Sequence, residues 1–599
     1  MPELHFKGKE FVYNHHLTVP YRPLQPQADK SIGEPSLNGN LIIQGDNLHA
    51  LKALLPLYAG KVDCVFIDPP YNTGNENWSY NDNVNSPMMR EWLSSNPINK
   101  EDMLRHDKWL ALMYPRIKLL HELLAETGSF WMTLDDNEIH RARAMMDEIF
   151  GEENFIATVI WHKNYSPKPS AQFFSEDHDY LLVYAKDKEI WRPKLLERTE
   201  DMDARYDNPD KDKRGAWKPG DLSARNYYSE GTYPITCPSG RVIDGPPGGN
   251  YWRVKESKFK EMDADKRIWW GEDGNNIPSI KRFLSDVKQG RVPQTLWEHA
   301  DVGHTQDAKK ELLAILNFET SDDVFITPKP TALLARVLDL ATEPTSIVLD
   351  SFAGSGTTAH AVLAANQKDG GDRKFILVEC EDYADKLTAE RVRRVINGYD
   401  FTGTQREELL RENITFTSLK NADKLLHRID GIENLDKHRF DAISKTVKDG
   451  VLTVTGERKV KEHAEGLGGS FTYCTLGEPL DLDKLLTGEH LPTYDALGAW
   501  AFHTATGEAF NPAAMEQANW FLGESAGYFV WLVYKPDLDF LKSREAALTL
   551  NLAETITKAK TGKRHLVFAP AKFVPNKTLL PMGVEFAPLP FALYRVEKA

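Results

Sequence analysis

The stretch Ile67-Asp68-Pro69-Pro70-Tyr71-Asn72-Thr73-Gly74 follows directly on the apolar run 62–67, so it predicts a turn at the carboxyl end of a buried strand. Two consecutive prolines fix the backbone angle φ and remove two N–H donors, which leaves a stiff turn with carbonyls free to accept hydrogen bonds. A flat base with an exocyclic amine would suit this turn: the amine would donate to Asp68 and to the Pro69 carbonyl, and the ring would stack on Tyr71. The alternative is an ordinary proline-rich turn whose tyrosine is only packed.

A second stretch predicts a strand, a glycine turn and a helix in that order. Ser346–Asp350 reads as a short strand, Ser351-Phe352-Ala353-Gly354-Ser355-Gly356-Thr357-Thr358 as the turn, and Ala359–Asn366 as a helix. This order lets a backbone approach a nucleotide-like ligand closely, although Gly-x-Gly alone is compatible with a plain tight turn. The next strand, Lys374–Val378, ends at Glu379, where a carboxylate would hold a ribose diol.

The two motifs together resemble those of the DNA amino-methyltransferases, specifically the adenine-modifying type. The signature pair of that family is Asp-Pro-Pro-Tyr plus Phe-x-Gly-x-Gly, and both occur here without departure, at 68–71 and 352–356. Ala359 stands where a dinucleotide-binding motif has its last glycine, so S-adenosylmethionine fits better than NAD as the cofactor. Asp68 in place of a serine favours adenine over cytosine as the target.

The order of the motifs resembles the circularly permuted class called β. The catalytic motif precedes the cofactor motif by about 280 residues, and Gly45-Asp46 and Thr327-Pro328-Lys329-Pro330 are further matches. The resemblance implies an α/β fold: a permuted Rossmann-like S-adenosylmethionine-dependent methyltransferase sheet, an inserted target-recognition domain and a C-terminal α/β module. Length, arrangement and the long C-terminal extension are similar to the modification (Mod) subunit of type III restriction–modification systems.

The resemblance also assigns roles to individual residues. The catalytic set is Asp68, Pro69, Pro70 and Tyr71. Phe352, Gly354 and Gly356 would lie along the cofactor, Asp350 and Thr357 near its amino-acid end, Glu379 at the ribose, Thr327 and Lys329 on the methionine side, and Asp46 at the junction of cofactor and target base. The adenine is expected to leave the duplex, and its amine to attack the methyl group directly, without a covalent enzyme intermediate.

Composition and periodicity change along the chain, and with the resemblance they predict five segments. These are an arm at 1–37, a catalytic half at 38–165, a target-recognition insertion at 166–325, a cofactor half at 326–400 and an interaction or dimerisation module at 401–599. Helix spacing of leucines predicts helices over 47–58 and 110–125. Strands are predicted at 40–44, 129–134, 155–162, 180–184, 527–534 and 564–569, and a helix at 543–559. Residues 73–100 are predicted to form a loop over the active site.

The insertion carries the candidate base readers Arg225, Asn226, Arg241 and Arg253, because arginine pairs with guanine and asparagine with adenine in a bidentate manner. Any one of them could instead contact phosphate or only solvent, and the insertion could be purely structural. The net charge of −15 opposes binding to DNA unless the local face differs, and between about 160 and 300 the positive and negative residues roughly balance.

The remaining expectations concern the setting of the protein. Its four cysteines, which lie far apart, predict no metal cluster and no disulfide framework, and therefore a reducing cytoplasm. No apolar run reaches the ~20 residues of a membrane span. The resemblance implies three partners: double-stranded DNA, a second copy of the chain, and an ATP-dependent helicase–nuclease (Res) subunit. The chain has no Gly-x-x-x-x-Gly-Lys-Ser/Thr segment, so any ATP hydrolysis would come from another polypeptide.

Three other functions remain open on the sequence. An amino-methyltransferase acting on RNA or on protein glutamine can share an Asn/Asp-Pro-Pro-Tyr loop. A solitary or other phage-defence adenine methyltransferase would need no restriction partner. A non-catalytic DNA-recognition scaffold in a defence complex is opposed by the intact Asp68, Tyr71, Gly354 and Gly356.

Overall fold

The structure is a computed structural model that describes residues 3–73, 104–287, 290–316, 327–414, 416, 420, 422–448, 450–480 and 491–589. The predicted loop over the active site falls almost entirely outside these residues. Strands β1 to β13 are Leu24–Ile32, Leu41–Gln44, Val62–Ile67, Leu124–Leu134, Phe155–His162, His178–Ala185, Trp217–Asp221, Ser223–Ala224, Ile235–Thr236, Val242–Ile243, Tyr251–Trp252, Ile268–Trp269 and Ser279–Phe283. Strands β14 to β26 are Leu296–Trp297, Ile347–Asp350, Lys374–Glu379, Gly398–Asn413, Ala442–Lys448, Val451–Glu465, Phe471–Leu476, Phe521–Glu524, Tyr528–Leu532, Ala547–Leu548, Arg564–Ala569, Ala571–Lys572 and Val584–Pro588.

The α-helices are Lys9–Val12, His15–Thr18, Asn47–Tyr58, Arg105–Leu123, Ile139–Phe150, Glu200–Asp203, Glu256–Ala264, His299–Val302, Thr305–Leu316, Thr331–Ala341, Thr357–Asp369, Glu390–Asn397, Ala422–Asp436, Tyr494–Thr506, Leu538–Lys542, Leu550–Ala559 and Asn576–Leu579. Across the described ranges, none of these helices combines the length and the apolar character that a membrane crossing requires.

One ten-stranded sheet organises the larger part of the chain. Its strand order is β1-β20-β2-β16-β15-β3-β4-β6-β5-β14, and the six strands from β20 to β4 in this order run parallel to one another. Strand β15 lies between β3 and β16, with Val348 opposite Cys64. The two motif strands, distant in sequence, are therefore hydrogen-bonded neighbours, as the resemblance to a permuted methyltransferase sheet predicts.

The central strands are buried because helices cover both faces of a parallel sheet. Val62–Ile67 is almost entirely apolar, and every residue except Asp63 is buried. On the helix Asn47–Tyr58, the leucines at 48, 51, 54 and 55 are all buried in the core against the helix Arg105–Leu123. Helical spacing of apolar side chains thus produces the covering layer that the leucine pattern predicts.

The two ends of the chain differ from the predicted segments. The predicted arm 1–37 contains β1, which pairs antiparallel with β20, and its residues Val12, Val19 and Tyr21 are buried in the main core. The predicted module 401–599 supplies β20 to the main sheet, between β1 and β2. A nonlocal partner therefore recruits a polar, proline-containing strand that local sequence presents as an arm.

The described residues in the rest of the C-terminal segment form three smaller sheets, of which one is the parallel pair β23–β25. Strands β17, β19 and β18 make an antiparallel sheet, and β21, β22, β24 and β26 make a four-stranded sheet. The predicted helix 543–559 is wrong in its first half: Arg544–Ala546 is a 3-10 turn, β23 follows, and the helix begins at Leu550. The Thr549 hydroxyl accepts a hydrogen bond from the Leu552 amide, so it caps the helix and fixes that start.

Residues 193–293 form a separate compact unit. It contains two-stranded and three-stranded sheets around a small core that includes Leu222, Ile235, Trp252, Phe259 and Trp270. This unit lies inside the predicted insertion 166–325 and is narrower. The flanking parts of that insertion, His178–Ala185 and Leu296–Trp297, are strands of the main sheet.

Candidate active site

The carboxyl ends of β3 and β15 bring the two sequence motifs side by side. Asp68 follows the last residue of β3, and Asp350 is the last residue of β15. In an open parallel sheet, ligands bind outside the carboxyl ends of the strands. The candidate site is therefore the edge where the proline turn and the glycine turn meet.

Two side chains from other elements hold the Asp68 carboxylate. Thr133, near the end of β4, donates its hydroxyl to Oδ1 of Asp68. The ammonium group of Lys329 lies 2.5 Å from Oδ2. Each carboxylate oxygen has two lone pairs, so Asp68 retains capacity to accept hydrogen bonds from a bound amine.

Tyr71 is fixed by a chain of charged groups. Its hydroxyl donates to Asp179 Oδ2 at 3.4 Å, and Lys163 binds the other oxygen of Asp179 at 2.5 Å. The Lys329 ammonium lies 5.1 Å from the centre of the Tyr71 ring, within the range of a cation–π contact. Burial raises the pKa of the Tyr71 hydroxyl well above its usual value, so the side chain stays uncharged.

The residue after Tyr71 anchors the end of the proline turn. Asn72 is fully buried and has a φ of 60°, which is uncommon for a residue other than glycine. Its side-chain amide donates to Glu138 Oε1 at 2.5 Å and to the Arg105 carbonyl at 3.2 Å. Glu138 also contacts His106, at 2.5 Å, and burial raises the pKa of this carboxyl to about 7. The turn is thus held in a strained conformation by a buried carboxyl group.

The carbonyls of the proline turn are not all free. The indole Nε1 of Trp109 donates to the Pro70 carbonyl at 2.7 Å. This bond engages one of the carbonyls that the sequence predicts to be available. It leaves the Pro69 carbonyl as the predicted acceptor for an amine.

The glycine turn between β15 and the helix Thr357–Asp369 requires left-handed backbone conformations. Gly354 has a φ of 49° and Gly356 a φ of 77°, in the region that favours glycine. A Cβ atom at position 356 would lie 3.0 Å from the Thr388 carbonyl oxygen. Both the backbone conformation and the close Thr388 carbonyl oxygen therefore disfavour a side chain at Gly356.

Two buried carboxylates stand at the ends of β15 and β16, held largely by local donors. Asp350 accepts from the Phe352 amide at 3.0 Å and from the Thr358 hydroxyl at 2.6 Å, and burial raises its pKa to about 7. Glu379 accepts from the Gly354 amide at 2.7 Å, and burial also raises its pKa. The second oxygen of Glu379 accepts from the amide of Glu381, two residues along the chain.

The residues at this edge fit an adenosyl cofactor. Gly354 and Gly356 let the backbone approach a ligand, and Glu379 is a carboxylate at the position expected for a ribose diol. The buried hydroxyl of Ser351, directly after β15, has no hydrogen-bond partner among the described residues. An unused hydroxyl beside a glycine turn is available to a bound polar ligand.

Lys329 and Thr357 join the two halves of the site. The Thr357 hydroxyl donates to the Lys329 carbonyl at 3.2 Å and accepts from the buried Arg391 at 2.8 Å. The backbone of Lys329 thus contacts the predicted cofactor side, whereas its ammonium group contacts Asp68 and Tyr71. The sequence predicts only the first of these positions.

The other predicted residues lie in varied places. Asp46 caps the helix Asn47–Tyr58 through the His49 amide at 3.1 Å and lies 3.3 Å from Arg116. Phe352 is half-buried against the main core, and Thr327 is exposed. The predicted base readers Arg225, Asn226, Arg241 and Arg253 are all exposed on the 193–293 unit.

Sequence reasoning missed Thr133, Asp179, Lys163 and Glu138, which hold the proline turn. Thr133 sits in a buried strand, and Asp179 and Lys163 lie on the antiparallel strand pair β5–β6 and its connection. No motif marks them. Strand pairing brings Thr133, Asp179 and Lys163 to the turn, and Glu138 reaches it from the start of the helix Ile139–Phe150. For Thr133, the position follows only from the register of β4 with β3, in which Ile67 lies opposite Met132.

The chain is similar to known DNA-modifying proteins. It is 33% identical over 434 residues to the type III restriction-modification enzyme StyLTI Mod subunit of Salmonella typhimurium, which covers 70% of this chain and 63% of that protein. It is 28% identical to the EcoPI Mod subunit of Escherichia phage P1, over 65% of each chain. Both alignments span just under two thirds of the relatives' length. A solved structure of M1.HpyAVI with S-adenosylmethionine covers 59% of this chain and 98% of its own, at 16% identity and a TM-score of 0.26.

The profile of the DNA methylase family matches residues 62–390. That range begins at β3 and ends one residue before Arg391. It contains the proline turn, the glycine turn and the strands β15 and β16 that carry Asp350 and Glu379. More than half of the chain is included, so the protein belongs to the DNA methylase family.

Proposed function

We propose that this protein is a site-specific DNA N6-adenine methyltransferase that uses S-adenosylmethionine, and that it serves as the Mod subunit of a type III restriction–modification system. The observation that carries the proposal is the pairing of β3 with β15, which sets Asp68 and Tyr71 beside the glycine turn. Similarity to Mod subunits supports the type III assignment.

The chemistry explains why the target amine needs this turn. The lone pair on the exocyclic nitrogen of adenine is delocalised into the ring, so the amine is a poor nucleophile. Hydrogen bonds from its two protons to Asp68 and to the Pro69 carbonyl favour a pyramidal nitrogen and localise the lone pair. Such preorganised acceptors act on charge that develops in the transition state.

The same residues account for the other requirements of the reaction. When bound, S-adenosylmethionine supplies an electrophilic methyl group on a sulfonium. Gly354, Gly356 and Glu379 would hold its adenosine, with Asp350 and Thr357 near its amino-acid end. Tyr71 offers a ring face that offsets the cost of unstacking an adenine from the duplex.

Replacing Asp68 by alanine tests the chemistry directly. We expect methyl transfer to duplex DNA to fall by about 100-fold or more, the usual effect of removing a preorganised transition-state contact. S-adenosylmethionine binding, measured by calorimetry, should stay within a few-fold, since Asp68 meets the amine. Loss of cofactor binding in Asp68→Ala would show that the role is wrongly assigned. Transfer to RNA or protein but not to DNA would favour the rival amino-methyltransferases.

We further propose that the insertion between the two halves of the site reads the DNA sequence. Arg225, Asn226, Arg241 and Arg253 supply the side chains that pair with base edges or phosphates. Exchanging residues 193–293 for the matching segment of a relative should change the methylated sequence and preserve transfer. An unchanged methylated sequence in the hybrid would place recognition elsewhere.

For assembly, we propose a homodimer that binds a helicase–nuclease subunit, with the sheet β17–β19 contributing a surface. Three apolar side chains of this region are exposed: Leu426 and Leu435 on the helix Ala422–Asp436, and Val447 on β18. Gly398 lies opposite Glu465, so residues 399–464 can be replaced by a short glycine–serine turn with the main sheet intact. Light scattering of the shortened protein should then show a monomer, or loss of partner capture. A shortened protein that still dimerises and captures the partner would remove this role.

A further inference from the structure

Two histidines and a glutamate meet at the β14 edge of the main sheet, outside the residues assigned to methyl transfer. His162 is the last residue of β5, and Glu298 and His299 follow β14 directly. The two strands are parallel, with Trp161 opposite Trp297. Strands that end together therefore bring side chains from 136 residues apart into contact.

The ligand-type atoms of these side chains converge on one point. His162 Nδ1 lies 2.9 Å from Glu298 Oε2 and 3.2 Å from His299 Nδ1. The two imidazole rings are 4.7 Å apart and nearly perpendicular, at 89°. All three atoms lie within 4.8 Å of one another.

The 3.2 Å between the two Nδ1 atoms is the spacing of ligands around a single ion. In a tetrahedral zinc site with Zn–N bonds of ~2.0–2.1 Å, two ligand nitrogens are separated by about 3.3 Å. Two neutral imidazole nitrogens at such a distance can share only one proton. A cation between them would let both lone pairs, and the carboxylate, point at the same centre.

We propose that His162, Glu298 and His299 bind a divalent transition-metal ion, with zinc as the preferred ion. Two imidazoles and one carboxylate match the donors that zinc takes, whereas magnesium and calcium prefer oxygen ligands. Three protein ligands leave a fourth position for water. Side-chain exposures of 31% for His162 and 53% for Glu298 let the ion enter from solvent.

Neighbouring rings contact the imidazole of His299 on two sides. The ring of His304 stacks on it, with centroids 5.9 Å apart and planes 15° apart, and Tyr165 packs edge-on at 5.3 Å. His304 is held in turn by Asp307, which lies 2.9 Å from its Nδ1. His299 therefore presents Nδ1 to His162 from a packed position.

A metal ion at this place would tie β14 to β5 next to the catalytic turn. Lys163 follows His162 in the chain and pairs with Asp179, the acceptor for the Tyr71 hydroxyl. The ion thus has a stabilising and positioning role and takes no part in methyl transfer. Its binding can be measured whether or not the protein methylates DNA.

The test is calorimetric titration of ZnCl₂ into the untagged full-length protein after treatment with a chelator. We expect one ion per chain, bound with a dissociation constant in the micromolar range or below. His299→Ala and Glu298→Gln should each weaken binding by at least tenfold. The matched control is His178→Ala: His178 lies across the strand pair from His162, and its Nε2 contacts the Tyr180 hydroxyl at 3.1 Å.

Cobalt(II) gives an independent readout of the ligands. Visible absorption of a four-coordinate nitrogen–oxygen site is expected, without the intense near-ultraviolet band of a thiolate ligand. A thiolate band would assign the ion to a cysteine such as the exposed Cys380 and would overturn the proposal. So would the absence of saturable zinc binding, or equal affinity in Glu298→Gln and the unaltered protein. If circular dichroism shows that His299→Ala fails to fold, Glu298→Gln alone decides.

Discussion

The carboxyl ends of β3 and β15 are neighbours, yet the turns that follow them owe their shapes to different kinds of interaction. At the end of β3, Asp68 and Tyr71 are held by side chains from remote elements: Thr133, Lys329 and Asp179. The glycine turn after β15 takes its shape first from left-handed backbone conformations at Gly354 and Gly356. Remote groups then hold it: Glu379 accepts from the Gly354 amide, and the Thr388 hydroxyl donates to the Gly354 carbonyl at 2.6 Å.

The difference reflects what each turn has to do. A turn that binds a cofactor needs close backbone approach, and glycines at fixed spacing provide it within one segment. A turn that activates an amine needs an oriented carboxylate, and orientation is provided by packed partners on rigid strands. The cofactor turn should therefore depend most on its glycines, whereas the proline turn should depend most on its distant side-chain partners.

The sharpest break of this comparison is Lys329→Met, which keeps the side-chain stem but removes the charge beside Asp68. We expect kcat to fall by about 100-fold, as when one transition-state contact is lost, and cofactor affinity to change less than threefold. Steady-state kinetics and calorimetry measure both quantities. Lys368→Met, on the exposed end of the helix Thr357–Asp369, is the control. Weakened cofactor binding with normal kcat would contradict this role and support a contact of Lys329 with the methionine part of the cofactor.

Asp350→Asn probes the cofactor turn through the pH dependence of stability. Burial raises the pKa of Asp350 to about 7, so between pH 4 and 7 the folded protein binds more protons than the unfolded chain. The cofactor-free protein therefore loses stability as pH rises through this window, by about 1.4 kcal/mol per unit of pKa difference.

An asparagine side chain does not ionise, so the fall in stability with rising pH should disappear in the variant. Relative to the unaltered protein, Asp350→Asn should become more stable by about 2 kcal/mol between pH 5 and pH 8. Urea unfolding at the two pH values measures the difference. Parallel pH profiles would mean that Asp350 is ionised in the folded protein.

Gly356→Ala separates crowding from backbone strain. Gly356 and Gly370 flank the same helix with φ angles of 77° and 72°, but only at 356 would a Cβ atom meet a neighbour. Gly370→Ala should cost about 1–2 kcal/mol of folding stability through backbone strain alone. Gly356→Ala should cost more, because its Cβ atom would also crowd the Thr388 carbonyl oxygen. Only Gly356→Ala should also weaken S-adenosylmethionine binding, by about tenfold (about 1.4 kcal/mol). Equal cofactor affinity in the two variants would contradict a ligand-contact role for this turn.

The smallest expected effect comes from Asp179→Asn. The amide oxygen can still accept from Tyr71, but the ion pair with Lys163 is lost. We expect kcat to fall only about threefold (about 0.7 kcal/mol), because the contact with the Tyr71 hydroxyl is kept. Asp136→Asn is the matched control, because Asp136 accepts from the Tyr180 hydroxyl at 2.9 Å away from the turn. Equal rates in the two variants would show that the Lys163 contact does not position Tyr71.

The same contrast explains how far the sequence leads. Strands 62–67, 155–162 and 564–569 match their predicted bounds, because short apolar runs between turn residues define them locally. The glycine turn was equally readable. The role of Lys329 at Asp68 was not, because it depends on a contact across 261 residues. Pairing of β1 with β20 was hidden for the same reason.

The position of β20 has a consequence for synthesis on the ribosome. Strand β20 lies between β1 and β2, so a nascent chain of 400 residues has the catalytic turn and the glycine turn but an incomplete sheet. Strand β2 then presents an open edge, and β1 waits for a partner made more than 430 residues later. Open edges of unfinished sheets are sites of aggregation. Translation that stops early should therefore leave fragments that need chaperones. In full-length chains β20 fills the gap between β1 and β2.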